Sequence, residues 1–192
     1  GGSEGGGVGG AGGGKKKKGK RKKSYYSTRP VRHRPRWALP DAAKAQAEAL
    51  DKLLADSNDS RAAVIRSVDA IKKCQNLDQA ATDLRGAAEQ RRGLVTRLQG
   101  LSVDKLPDNA ALTEALTEAW NASAKADDHY AEWAGQVDGK KGCRDGRARR
   151  TGQLSEAEKA SVDATKAKRE AAGLWNSIAT DYDLTKRDAG DL

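Results

Sequence analysis

LDQAATDLRGAAEQRRGLVTRLQG, residues 77–100, decides the fold class. Its apolar residues Ala81, Leu84, Ala88, Leu94 and Leu98 recur at spacings that fall on one face of a 3.6-residue helix. A half-buried strand would alternate with period two instead. The cadence is coiled-coil-like, so the segment needs helical partners for its apolar stripe. Gly100 follows the last apolar residue, where a left-handed C-terminal cap is expected.

Three further segments repeat this pattern. The first helix is expected to start after Pro40, with Asp41 as its cap, and to reach about Lys73. Its stripe is Leu50, Leu54, Val64, Val68 and Ile71, and Ser57 to Ser60 is the expected place for a break or bend. The third helix is expected from about Asp108, just after Pro107, with Leu112, Leu116, Ala119, Trp120, Tyr130, Trp133 and Val137 facing the core. The fourth runs from about Ser155 to Tyr182 through Ala157, Ala164, Ala171, Leu174, Trp175 and Ile178, with Ser155 and Glu158 in capping-box spacing. Four long helices joined by short links predict an all-α, antiparallel up-down-up-down four-helix bundle over residues 41–192.

The first forty residues read differently. They hold 12 Lys and Arg against Glu4 alone, a net charge of +11, which leaves −2 of the total +9 for residues 41–192. Residues 1–14 are nearly all Gly, with little apolar surface to offset the entropy of ordering. Lys15, Lys16, Lys17, Lys18, Lys20, Arg21, Lys22 and Lys23 then repel one another, and Arg29, Arg32, Arg34 and Arg36 alternate with Tyr25, Tyr26, Pro30, Pro35 and Trp37. Residues 1–40 are therefore expected to be a disordered basic arm whose twelve cations meet an anionic partner. Three readings stand for it. One is nucleic acid, through phosphate neutralisation and base stacking. Another is an acidic membrane surface. The one ranked first is a basic flank beside a membrane segment outside this chain. The chain starts at Gly1 and contains no Met, as expected of a fragment or processed product.

Two cysteines fall at the ends of predicted helices. Cys74 closes the first, and Cys143 lies in the loop 139–152 after the third. In an up-down-up-down bundle those ends share a pole, so a Cys74–Cys143 disulfide is expected, and it would hold down a mobile basic loop. Such bonds persist mainly outside the cytoplasm. The alternative is two free thiols.

No catalytic motif is present, and neither an enzyme nor a cofactor is expected: the chain contains no GxSxG, HExxH, GxxxxGK[ST] or CxxC. His33 and His129 do not supply zinc-ligand spacing. Asp127, Asp128, His129 and Glu132 form a dense polar cluster, read as a solvated helix face with a partly packed His. Asn121–Ser123 matches a glycosylation acceptor but lies mid-helix, which marks it as chance. Lys140, Lys141, Arg144, Arg147, Arg149 and Arg150 make a second basic patch, read first as a solvated loop and second as a contact for an anionic ligand or a protein.

LVTRLQ (94–99), LPDNAALTEALTEAWNASAKADDHYAEWA (106–134) and LWNSIATDYDLT (174–185) resemble an uncharacterised actinobacterial family of cell-envelope proteins. That resemblance covers most of residues 41–192, both cysteines included. It implies a basic N-terminus, commonly one membrane-spanning segment, and a helical extracytoplasmic domain. Together with the expected disulfide and the missing catalytic motifs, it makes a non-enzymatic domain that binds a protein or an anionic envelope component the leading expectation, with nucleic-acid binding through the arm as the alternative. This chain departs from the layout in having no spanning segment between its basic run and the first helix.

Overall fold

A computed structural model describes residues 41–192. The arm, with its boundary at residue 40 and its twelve cations from Lys15 to Arg36, lies outside the described residues. Among those described, five α-helices follow in order: α1 (Asp41–Asp56), α2 (Arg61–Lys72), α3 (Leu77–Gln99), α4 (Asn109–Gln136) and α5 (Gly152–Tyr182). Between α4 and α5 stand two short strands, β1 (Cys143–Arg144) and β2 (Arg147–Ala148), and a 3-10 turn covers Ala189–Asp191. The fold is all-α and bundle-like. No helix among the described residues is long and apolar enough to cross a membrane.

The first expected helix is two. Ser57 donates its hydroxyl to Leu54 O (2.6 Å), and Asp59 N and Arg61 N make turn bonds to Asp56 O and Asn58 O, so a Ser-Asn-Asp-Ser run replaces the helical ladder. The break is tied to α3: Arg97 pairs with Asp56 at 2.9 Å, and Gln90 reaches both Asp56 O and Ser60.

Two expected caps are also different. Gly100 is right-handed (φ −84°), because the last carbonyls of α3 accept tight i to i+3 bonds from Gly100 N and Leu101 N instead. The cap of α5 is Thr151, whose hydroxyl accepts from Leu154 N, while Ser155 is already inside the helix. Glu158 does not close a capping box but pairs with Arg150.

The core lies along the facing stripes of α3, α4 and α5, with α1 and α2 packed on them. Leu84, Leu94, Leu112, Leu116, Ala171 and Ile178 are buried as expected, whereas Val64, Val68, Tyr130 and Leu174 are half-buried. Ala residues dominate the buried face of α5, so its backbone approaches its neighbours closely. Three fully buried tryptophans fill the space this leaves. Each indole donates to a carbonyl outside the helices: Trp120 to Leu192 O (3.2 Å), Trp175 to Thr185 O (2.9 Å) and Trp133 to Arg149 O (2.8 Å). The tryptophans thus bind the irregular segments to the bundle as well as packing it. The segment 183–192 is held further by Arg187 to Asp51 (2.9 Å) and by two bonds between Asn176 and the Arg187 backbone.

Candidate functional site: a disulfide-held hairpin and a buried charged cavity

Cys74 and Cys143 are joined, with Cα atoms 6.1 Å apart and a sequence separation of 69. Cys74 takes a left-handed conformation (φ 57°) just after α2, which turns the chain toward α3. The loop that the disulfide is expected to hold down is in part an antiparallel hairpin with Cys143 opposite Ala148 and Arg144 opposite Arg147. Its tip, Asp145-Gly146, has two positive φ values (52° and 73°), the two-residue turn whose twist matches paired strands. Gly142 is required for a different reason. A Cβ there would stand 2.3 Å from Val137 Cα, so only a glycine lets the loop pass the end of α4.

The hairpin, Lys72, Lys73, Tyr130 and Trp133 border a groove of about 520 Å³. Lys140, Lys141, Arg144, Arg147, Arg149 and Arg150 are all exposed on this pole. Arg144 and Arg147 sit on the hairpin itself, and Arg150, just beyond it, is paired with Glu158.

The Asp127–Glu132 cluster divides. Asp128 pairs with Arg92 and Glu132 with Arg85 (3.5 Å) on the surface, and His129 Nδ1 shares a 2.6 Å hydrogen bond with Gln153. Asp127 is not on a solvated face: it is 2% exposed and pairs with Arg91, itself 6% exposed. Lys168, 8% exposed, completes the group. These three line a cavity of about 180 Å³ with Arg61, Ser123, Tyr130, Ser161 and Thr165. Asn121 and Ser123 of the sequon lie within α4, with Ser123 buried.

Sequence reading did not single out Arg91 or Lys168, although the signal was there. Arg91 falls three residues after Ala88 and three before Leu94, and Lys168 falls four after Ala164 and three before Ala171. Each is a charged residue at a core-facing register, and Asp127 likewise follows buried Ser123 by four.

Burial sets the electrostatics. Asp127 is raised from the usual 3.8 to about 6, because desolvation outweighs the attraction of Arg91 and Lys168. Lys168 is lowered from 10.5 to about 8 by burial and by the repulsion of Arg91 and Arg61, against the pull of Asp127. The folded state therefore holds more protons than the unfolded chain between about pH 4 and 6, and this contribution to stability falls as pH rises through that window. Between about pH 8 and 10.5 the folded state holds fewer, and stability rises with pH. The cluster should thus contribute least near neutral pH, by on the order of 3 kcal/mol for each group. Denaturant midpoints of wild type against Lys168→Met, measured from pH 7 to 10, check the second window. A difference that stays constant would show Lys168 to titrate as an ordinary lysine.

Among the described residues no three His, Cys, Asp or Glu side chains are grouped to hold a metal ion. Compared with known protein families, curated proteins and solved structures, the chain matches none.

Proposed function

We propose that this chain is a non-enzymatic helical interaction domain of the cell envelope or another extracytoplasmic setting, contacting a protein or an anionic envelope component. The observation that carries the reading is the Cys74–Cys143 bond, because disulfides persist where the medium is oxidising. The exposed cations of the hairpin, set beside the groove at the same pole, support an anionic or acidic partner. The resemblance of residues 94–99, 106–134 and 174–185 to an envelope family is in keeping with this. We further read the helices as an up-down-up-down antiparallel bundle in which α1 and α2 together form the first member. The packing of α2 on α3, α3 on α4 and α4 on α5, with a disulfide joining the ends of α2 and the α4–α5 link, supports that arrangement. The net +11 of residues 1–40 favours a second reading, nucleic-acid binding through the arm.

Intact mass of the protein from its native host, alkylated with and without prior reduction, tests the first reading. The expected result is no alkylation before reduction and two modified cysteines after it. Two free thiols in the native material would remove the support for an oxidising compartment and leave the nucleic-acid reading ahead.

A further inference from the structure

We propose that the cavity between α2, α3, α4 and α5 is a binding site for a dianionic oxyanion, either free phosphate or the phosphate of a phosphomonoester. Arg91, Asp127 and Lys168 form its buried floor, and exposed Arg61 stands at its rim, so three cations face one carboxylate. Buried charge is tolerated only when it is paired and hydrogen-bonded. Asp127 answers one of the three cations, through Arg91. Arg91 Nε is nevertheless buried without a hydrogen-bond partner, and among the described residues no carboxylate lies within ion-pairing distance of Lys168 Nζ.

The buried groups leave a surplus of one positive charge, and exposed Arg61 at the rim brings the total to two. A dianion cancels it, whereas a lone carboxylate would leave half. Arg supplies a planar fork suited to phosphate oxygens and Lys a compact point charge, and the hydroxyls of Ser123, Ser161 and Thr165 line the same walls as further donors. The volume, about 180 Å³, exceeds the roughly 30 Å³ share of one water several times over and suits a five-atom oxyanion. The rim is marked by Arg61 and Ile65 on α2 and Thr165 on α5, all exposed. Ile65 is 58% exposed, so an organic substituent on the phosphate would meet apolar surface as it leaves the cavity.

Calorimetric titration of the full chain with inorganic phosphate, and separately with glycerol 3-phosphate, at an ionic strength held constant with chloride, tests the site. One saturable site is expected, weakened at least tenfold in Lys168→Gln and in Arg61→Gln and retained in Lys168→Arg. Asp127→Asn, which removes the competing carboxylate, should bind at least as tightly as wild type. Residues 1–40 are the same in every variant, so phosphate bound by the arm does not change between them. Because Arg61 is exposed, its variant gives a reading even where Lys168→Gln does not fold. Tighter binding of glycerol 3-phosphate would assign the phosphomonoester, and equal or weaker binding free phosphate. Absence of a saturable site, or an affinity unchanged by Arg61→Gln, would overturn the proposal.

Discussion

Trp120→Ala and Trp175→Ala should each lower the unfolding free energy by about 3 to 5 kcal/mol. Both side chains are fully buried, Trp120 on α4 and Trp175 on α5, among Ala-rich helix faces that cannot collapse far into the space an indole vacates. Each substitution also frees a carbonyl, Leu192 O or Thr185 O, that now accepts the indole N–H. That hydrogen bond contributes only about 1 kcal/mol, so packing dominates. Trp175→Phe separates the two effects, since it keeps most of the ring volume and removes the donor. Its loss should be well below that of Trp175→Ala. Urea unfolding provides the comparison. If both Ala variants unfold within about 1 kcal/mol of wild type, the core is not centred where the structure puts it. For a domain whose whole stability is on the order of 5 to 15 kcal/mol, either Ala variant should be close to unfolding at physiological temperature.

Breaking the disulfide comes second in size. The bond closes a loop of about 70 residues that takes in α3 and α4 entirely. In the chain-entropy treatment a loop of that length restricts the unfolded state enough to stabilise the fold by about 4 kcal/mol. Cys74→Ala with Cys143→Ala should therefore lower the urea midpoint substantially, and reduction of the wild type should do the same. The local consequence is separate: β1 and β2 pair over two residues each, too few to hold a hairpin alone. Amide protons of Cys143–Ala148 should exchange faster in the double variant. A variant that loosens only these amides while its midpoint stays put would show that the bond acts locally and that the loop-entropy account is wrong for this chain.

The redox and charge features are linked by position. Tyr130 borders both the hairpin groove and the charged cavity, and the hydrophobic cluster beneath the disulfide (Ile71, Leu84, Trp133, Val137) continues the stripe of α4 that carries Asp127. A ligand in the cavity and a partner at the hairpin would therefore rest on the same four turns of α4.

Much of the architecture was legible locally. Period-3.6 stripes placed α3, α4 and α5 to within a few residues, because a helix repeats its geometry every turn and the apolar positions report which side is covered. Ser57–Ser60 reads as a break or bend because short polar side chains compete for the backbone. The Asp145-Gly146 turn is also locally encoded, but strands of two residues show no alternation that would mark it as a hairpin. Thr151 carries no capping-box signal, because Leu154, not Glu or Gln, stands three residues on.

The sequence by itself determined the helical class and the apolar stripes, since both follow from periodicity, and chain order put Cys74 and Cys143 at helix ends with a disulfide or two free thiols both open. Only the tertiary structure decided that Arg91, Asp127 and Lys168 meet in one cavity, that residues 183–192 lie under the indoles of Trp120 and Trp175, and that the basic loop is a pinned hairpin. The physical reason is range. A helix stripe is set by neighbours three and four residues away, but whether a charged residue on that stripe is buried, and against which other charge, depends on side chains 36 to 77 residues distant that reach it only across the packed core.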